Sequence, residues 1–212
     1  MKFKSKVIYY VKLLMDNPTA RIIILLIGGI FMNLLYIATN AASAILYHNI
    51  WSATLTVYHL MLIIIRIYLI TVGRTRASNA DGRRICLRVG ILLLLLDLAS
   101  ASMMLYSIRR GSYASYSGLI LLGFLAFTIY SVTRSVIDLR RHRDGENHLY
   151  FAARNISLST SLMSVFNLQY SVFALLGADS AMTGRAILLC GLSVFSIILF
   201  LSFSLMRRGI SE

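Results

Sequence analysis

Six long apolar segments are the feature that most limits the folds open to this chain. A helix that crosses a bilayer needs roughly 20 mostly apolar residues, and six stretches meet that need: 19–46, 51–73, 85–107, 116–139, 151–177 and 184–206. Lipid-exposed backbone must satisfy its own hydrogen bonds, which favours helices for segments this long. The expected fold is therefore an all-α, polytopic membrane protein, with six transmembrane helices forming a single domain over 1–212.

The charge balance fits a membrane protein better than a nucleic-acid-binding protein. Only 14% of the residues are charged, whereas soluble domains average about a quarter. The net charge of +13 comes from basic residues concentrated in alternate loops and at both ends of the chain. That distribution is the positive-inside pattern, so both termini are expected to be cytoplasmic. The basic rim is expected to attract anionic membrane lipids, and no nucleic-acid partner is expected.

A short amphipathic segment precedes the first span. Four apolar residues recur there at helical spacing with lysines between them: Phe3, Val7, Val11 and Leu14. This pattern predicts an interfacial helix over 1–17 that lies on the membrane surface.

The two halves of the chain, 19–110 and 115–208, show a weak similarity. When "GRRICLRVGILLLLLDLASASMM" is aligned with "TGRAILLCGLSVFSIILFLSFSLM", Arg84 falls on Arg185 and Gly90 falls on Gly191. Two units of three spans would insert in opposite orientations, as in transporters whose site lies near the midplane between the units. Two inverted three-helix repeats and a chance likeness of leucine-rich segments both remain open.

Two spans carry polar stripes on one helix face. The first stripe contains Gly29, Asn33, Tyr36, Asn40, Ser43 and Tyr47, and the second, in the fifth span, contains Ser157, Thr160, Ser161, Ser164, Asn167 and Ser171. Such side chains either hydrogen-bond neighbouring helices or line a water-filled cavity, and both interpretations are kept.

Ionisable residues inside the spans are candidates for function. His59 and Arg66 share a face of the second span, and Asp97 interrupts the leucine run of the third. Asn33 and Asp97 are expected at nearly the same depth, and Arg66 about 8 Å away, a difference that a side chain leaning toward the helix N-terminus could largely bridge. These positions predict a cluster of Arg66, Asp97 and Asn33, which would either bind a solute or fix the helix register. Nearer the cytoplasmic side, Arg134 and Asp138 are four residues apart and are expected to form an interfacial ion pair.

Three segments, "YHLMLIIIRIYLI", "GILLLLLDLASASMM" and "SLMSVFNLQYSVFALLG", resemble an uncharacterised family of small six-span bacterial integral membrane proteins. The resemblance implies a six-span fold in the bacterial cytoplasmic membrane and implies no activity. Arg66 fits the family pattern. The family tends to have asparagine where this chain has Asp97, which favours a hydrogen-bonding role at that position.

The leading functional hypothesis is a small transporter or channel-like permease for a small polar or anionic solute. Its substrate-binding residues would be Asn33, Tyr36, Asn40, His59, Arg66, Asp97, Ser164 and Asn167. A non-catalytic membrane subunit or scaffold is the alternative, using small residues in "ASASMM" and "GLSVFS" as a contact surface, and an intramembrane lipid-acting enzyme is a third. Motifs for hydrolases, metal sites and nucleotide binding are missing, so no enzyme activity, cofactor or metal is expected. A homodimer or a partner membrane protein is compatible with all three hypotheses.

Overall fold

The computed structural model describes residues 18–74, 79–110, 118–141, 148–176 and 180–210. These residues form six helices and no strand: α1 (Pro18–Tyr47), α2 (Ile50–Arg74), α3 (Asn79–Arg109), α4 (Gly118–Arg141), α5 (His148–Leu176) and α6 (Ser180–Ile210). The prediction of an all-α chain with six helices is confirmed. The expected interfacial helix at 1–17 lies outside the described residues.

The six helices differ in how well they suit a membrane. Four of them, α1, α2, α3 and α6, are long and apolar enough to cross it. The apolar part of α4 is shorter, Leu121–Ile137. Helix α5 carries many serine, threonine and asparagine side chains. It packs against each of the other five described helices, which shields these polar side chains from the surroundings of the bundle. Asn155, Ser159 and Asn167 are buried there, which is where a membrane protein tolerates such groups.

Helices that follow one another in the chain run in opposite directions. Gly29 of α1 lies against Arg66 of α2 at one end of that pair, and Ser43 hydrogen-bonds Ser52 at the other end over 3.2 Å. Antiparallel contacts also join α2 to α3, α4 to α5 and α5 to α6. Helices α3 and α6 are antiparallel as well. Helix α1 therefore begins on the side of the bundle where α6 ends, and we call that side the terminal face.

A two-residue connection holds α1 and α2 together at the opposite face. His48 has a φ of 48°, the left-handed conformation that commonly ends a helix. The side-chain oxygen of Asn49 accepts a hydrogen bond of 2.8 Å from the backbone N–H of Trp51, which caps the start of α2.

Both cysteines are free. Cys86 is buried and its sulfur lies 3.4 Å from the carbonyl oxygen of His148. Cys190 accepts a hydrogen bond of 2.8 Å from the Gln169 amide. Each thiol has a packing role between helices.

Close contact between α3 and α6 depends on glycine. A Cβ atom at Gly90 would lie 3.0 Å from the backbone oxygen of Ser202 and 2.8 Å from Cγ of Met206. We expect Gly90→Ala to lower the free energy of unfolding in detergent by about 1–3 kcal/mol, the usual cost of overpacking. Gly123→Ala is the matched control because a Cβ there would meet no atom within 4 Å. Equal losses in both variants would contradict the close packing at Gly90.

Candidate functional site

A cavity of about 40 Å³ lies between α1, α2, α4 and α5. We call it the arginine cavity; it is lined by Leu25, Gly28, Gly29, Met32, Arg66, Phe127, Tyr130, Ser131, Arg134, Ser135, Ser157 and Thr160. At a rise of about 1.5 Å per residue, Arg66 is about 12 Å from the end of α2 and Arg134 about 10 Å from the end of α4. The cavity therefore lies in the half of the bundle that is nearer the terminal face.

Arg66 crosses the core of the bundle from α2 and is only 1% exposed. Its Nη2 donates to the Thr160 hydroxyl over 3.2 Å and its Nη1 to the Ser157 hydroxyl over 3.4 Å. Its Nε has no hydrogen-bond partner among the described residues. Both partners are neutral, so these hydrogen bonds satisfy donors of the guanidinium and supply no negative charge to balance it.

Gly29 makes the space that Arg66 occupies. A Cβ atom at position 29 would overlap Nη1 and Cζ of Arg66 and would lie 2.9 Å from its Nε. The guanidinium therefore rests on the backbone of α1, where any larger residue would displace it. This role differs from the sequence prediction, which treated Gly29 only as a member of the polar stripe of α1.

A second cation, Arg134, lines the same cavity from α4. Its Nη1 donates to the Tyr130 hydroxyl over 3.1 Å, and both Nη atoms lie 4.0 Å from the position that a Cβ of Gly28 would take. The described residues that line the cavity include no carboxylate. The expected partner, Asp138, has a side chain outside the described part of the structure.

Sequence reasoning missed Arg134 as a site residue because its place near a helix end suggested an ordinary interfacial ion pair. One signal was present. Phe127, Tyr130 and Arg134 follow steps of three and four, which put an aromatic ring, a hydroxyl and a cation on one face of α4.

A group of buried polar residues lies deeper in the bundle, and we call Asn33, Tyr36, Tyr58, His59 and Asp97 the central polar cluster. The Asn33 side-chain oxygen and His59 Nδ1 are 3.4 Å apart, and the ring centroids of Tyr36 and His59 are 4.5 Å apart. Tyr58 packs edge-on against His59 and lies within electrostatic reach of Asp97. Asn33 Nδ2, His59 Nε2 and Asp97 Oδ1 have no hydrogen-bond partner within the described chain.

The predicted cluster of Arg66, Asp97 and Asn33 does not form. Arg66 bonds α5 instead, and Asn33 bonds His59. The reason is depth. Tyr68 of α2 and Arg88 of α3 are at about the same depth because their side chains are hydrogen-bonded. Counted from this pair, Asp97 lies about 13 Å deeper and Arg66 only about 3 Å deeper, so the two differ in depth by about 10 Å. A leaning arginine cannot bridge that difference.

The other three predicted site residues are buried away from the arginine cavity. Asn40 donates to the carbonyl oxygen of Tyr36 in its own helix over 2.9 Å. Ser164 donates to the Ser161 carbonyl over 2.7 Å. Neither side-chain polar atom of Asn167 has a hydrogen-bond partner among the described residues. Of the eight predicted residues, Arg66 alone lines the cavity, and four belong to the central polar cluster.

Comparisons with protein-family models, with curated proteins and with solved structures find no match to this chain. Its function has to be inferred from the geometry. Within the described residues, no group of three or more histidine, cysteine or acidic residues could hold a metal ion.

Proposed function

We propose that this protein is a small membrane transporter or channel-like permease that binds a small anion in the arginine cavity. The observation that carries the proposal is the meeting of Arg66 and Arg134 in one cavity whose described lining has hydroxyls and no carboxylate. Guanidinium groups pair with anions through directed, charge-assisted hydrogen bonds.

The energetics of buried charge support an anion at this place. A cation inside a membrane protein is costly unless an opposite charge or water compensates it. Two cations on one cavity also repel each other, and that repulsion is stronger in a medium of low dielectric constant. An anion between Arg66 and Arg134 would offset both costs, and the hydroxyls of Ser157 and Thr160 would complete its surroundings.

The size of the cavity limits the solute. One water molecule needs roughly 10–15 Å³ of such space, so a cavity of about 40 Å³ accommodates a few waters or an anion of a few heavy atoms. This size favours small inorganic oxyanions and short carboxylates over nucleosides or vitamins.

The proposed topology has six spans in the bacterial cytoplasmic membrane, with the terminal face in the cytoplasm. The positive-inside distribution supports that orientation. Two inverted three-helix repeats are part of the proposal, supported by the α3–α6 contact. Gly90 lies against Leu205, and Gly191 lies against Met104. The aligned glycines thus occupy exchanged positions in an antiparallel pair, as a twofold relation between the halves requires.

The alternative of a scaffold or non-catalytic subunit has less support. Its expected contact surface was the small-residue segments "ASASMM" and "GLSVFS". Met104 of the first and Gly191 of the second lie against each other inside the α3–α6 pair, so part of that surface is used within the chain.

The proposal is tested by thermal unfolding of the purified protein in detergent with nitrate, formate or inorganic phosphate added. A ligand at a hundred times its Kd stabilises the folded state by about 2.7 kcal/mol, so at least one of these anions should raise the melting temperature. Arg66→Gln and Arg134→Gln should each raise the half-saturating concentration of the anion about ten-fold or more, because each variant loses a charge-assisted hydrogen bond to the anion. Arg185→Gln, which removes an exposed arginine of α6, should respond like the wild type.

Flux through proteoliposomes then distinguishes transport from binding alone. The anion that stabilises the protein should cross the membrane with the wild type and with Arg185→Gln, and should cross poorly with Arg134→Gln. Binding without flux would favour the subunit hypothesis. No response to any of the three anions, or a response that both cavity variants keep, would contradict the site itself.

A further inference from the structure

A groove of about 440 Å³ runs along the outside of the bundle between α2 and α3. It is lined by Ile64, Ile65, Tyr68, Arg88, Ile91 and Leu92. Helix α2 packs mainly on α1, and α3 packs mainly on α6, which leaves this space between the two. Ile64 and Leu92 are 51% and 44% exposed, so the groove faces the surroundings of the bundle and is separate from the arginine cavity.

A cation, Arg88, borders one end of the groove, whose surface is otherwise apolar. Arg88 is exposed, and its Nη1 donates to the Tyr68 hydroxyl over 3.1 Å. By helical rise, Tyr68 lies about 9 Å from the end of α2 and Arg88 about 13 Å from the start of α3, and Ile64 and Ile91 lie deeper. The polar end is therefore the one nearer the terminal face, and the apolar end extends toward the middle of the membrane.

We propose that this groove is a binding site for one anionic glycerophospholipid of the leaflet at the terminal face. The lipid phosphate would bind Arg88 and the Tyr68 hydroxyl, and an acyl chain would lie along Ile64, Ile91 and Leu92. The volume of the groove is in the range of specific ligand pockets. The polarity along the groove matches that of a phospholipid whose headgroup is at the terminal face.

Charge selects an anionic lipid over a zwitterionic one. The described lining residues include a single cation and no carboxylate. Arg84 is exposed one helical turn nearer the terminal face, on the same side of α3 as Arg88. A headgroup with a net negative charge can pair with these cations, whereas the amine of a zwitterionic headgroup would be repelled.

Native mass spectrometry of the purified full chain with equal amounts of phosphatidylglycerol and phosphatidylcholine tests the site. Each arginine near an anionic membrane surface contributes about 1 kcal/mol, or about five-fold in binding. We expect the wild type to retain more phosphatidylglycerol than phosphatidylcholine, Arg88→Gln to reduce that preference about five-fold, and Arg185→Gln to leave it unchanged. Soluble glycerol 3-phosphate, which has the headgroup chemistry without the chains, should not compete.

A second variant tests the groove without touching the charge. Ile91→Trp should fill the apolar part and lower the retention of both lipids, while Phe200→Trp, on an exposed part of α6, should change neither. The proposal is overturned by a phosphatidylglycerol preference that Arg88→Gln leaves unchanged, by an equal loss in Arg185→Gln, or by competition from glycerol 3-phosphate.

Discussion

Gly29→Ala is expected to abolish anion binding, although alanine is a small residue and favours helices. The added Cβ would overlap Nη1 and Cζ of Arg66, so the guanidinium must leave its place on α1. It would then lose its hydrogen bonds to Ser157 and Thr160, each worth about 1.5–3 kcal/mol for a charged group. A displaced Arg66 would no longer meet Arg134 across the cavity.

Gly123→Ala is the control for this variant. A Cβ at Gly123 would meet no atom within 4 Å, and Gly123 is not among the residues that line the arginine cavity. Gly123→Ala should therefore melt like the wild type and keep the anion-dependent rise in melting temperature. Gly29→Ala should melt lower and show no rise with any anion that stabilises the wild type.

The two variants also distinguish a structural from a binding role of Arg66. If Arg66 serves only to hold α2 and α5 together, Gly29→Ala would lower the melting temperature and leave the size of the anion response unchanged. If Gly29→Ala binds the anion as tightly as Gly123→Ala does, the position of Arg66 does not depend on the space at position 29, and the proposed arrangement of the arginine cavity is wrong.

The sequence predicted the helices well because apolar length is a local property. All six helices lie within several residues of the predicted spans. The polar stripe of α1 was also informative. Asn33 and Ser43 face α2, where they meet His59 and Ser52, so this part of the stripe joins helices. Only its first member, Gly29, borders the arginine cavity.

The partner of Arg66 was not predictable from helical spacing. Spans two and three are consecutive in the chain, which suggested that Arg66 and Asp97 would meet. In the structure α2 packs chiefly on α1, and Arg66 lies against Gly29 and reaches α5. The space for its guanidinium exists because a side chain is missing at Gly29, and a search for polar residues does not detect that.

The roles of the hydroxyl residues of α5 also depend on how the helices pack. Its hydroxyl residues are compatible with either helix packing or a solute path, and the structure divides them between the two roles. Ser161 hydrogen-bonds Ser131, which joins α5 to α4. Ser157 and Thr160 line the arginine cavity. Which residues take which role depends on the rotation of α5 relative to α4, and the sequence does not specify that rotation.

Three aromatic rings pack together beside the arginine cavity, where a barrier on the proposed anion path would lie. Phe127 lines the cavity and packs edge-on against Tyr36, with ring centroids 4.2 Å apart. Tyr36 stacks on Phe124 at 5.6 Å and is 1% exposed. If the proposed transport takes place, a solute that enters the cavity from the terminal face has to displace these rings to cross the bundle. Hydrophobic constrictions of this kind prevent conduction by excluding water.

Phe127→Ala is therefore expected to raise passive anion flux through proteoliposomes. Each 1.4 kcal/mol removed from the barrier raises the rate about ten-fold. Removal of a ring that fills the constriction should lower the barrier by more than this amount, so we expect the anion flux to rise more than about ten-fold. Phe200→Ala removes the same side chain from an exposed position on α6 and should leave the flux unchanged. Melting temperatures measured on the same samples show whether Phe127→Ala remains folded.

The solute selectivity of the flux through Phe127→Ala distinguishes an opened anion path from a loosened helix bundle. If Phe127 closes an anion path, the leak in Phe127→Ala carries nitrate, excludes glucose, and falls when Arg66→Gln is added, because the solute must still pass Arg66. A leak that carries glucose as well and ignores Arg66→Gln would come from a loosened bundle. A folded Phe127→Ala with wild-type flux would place the barrier elsewhere, and the rings around Trp51, which packs against Phe166 and Tyr170 near the opposite face, would be the next to remove.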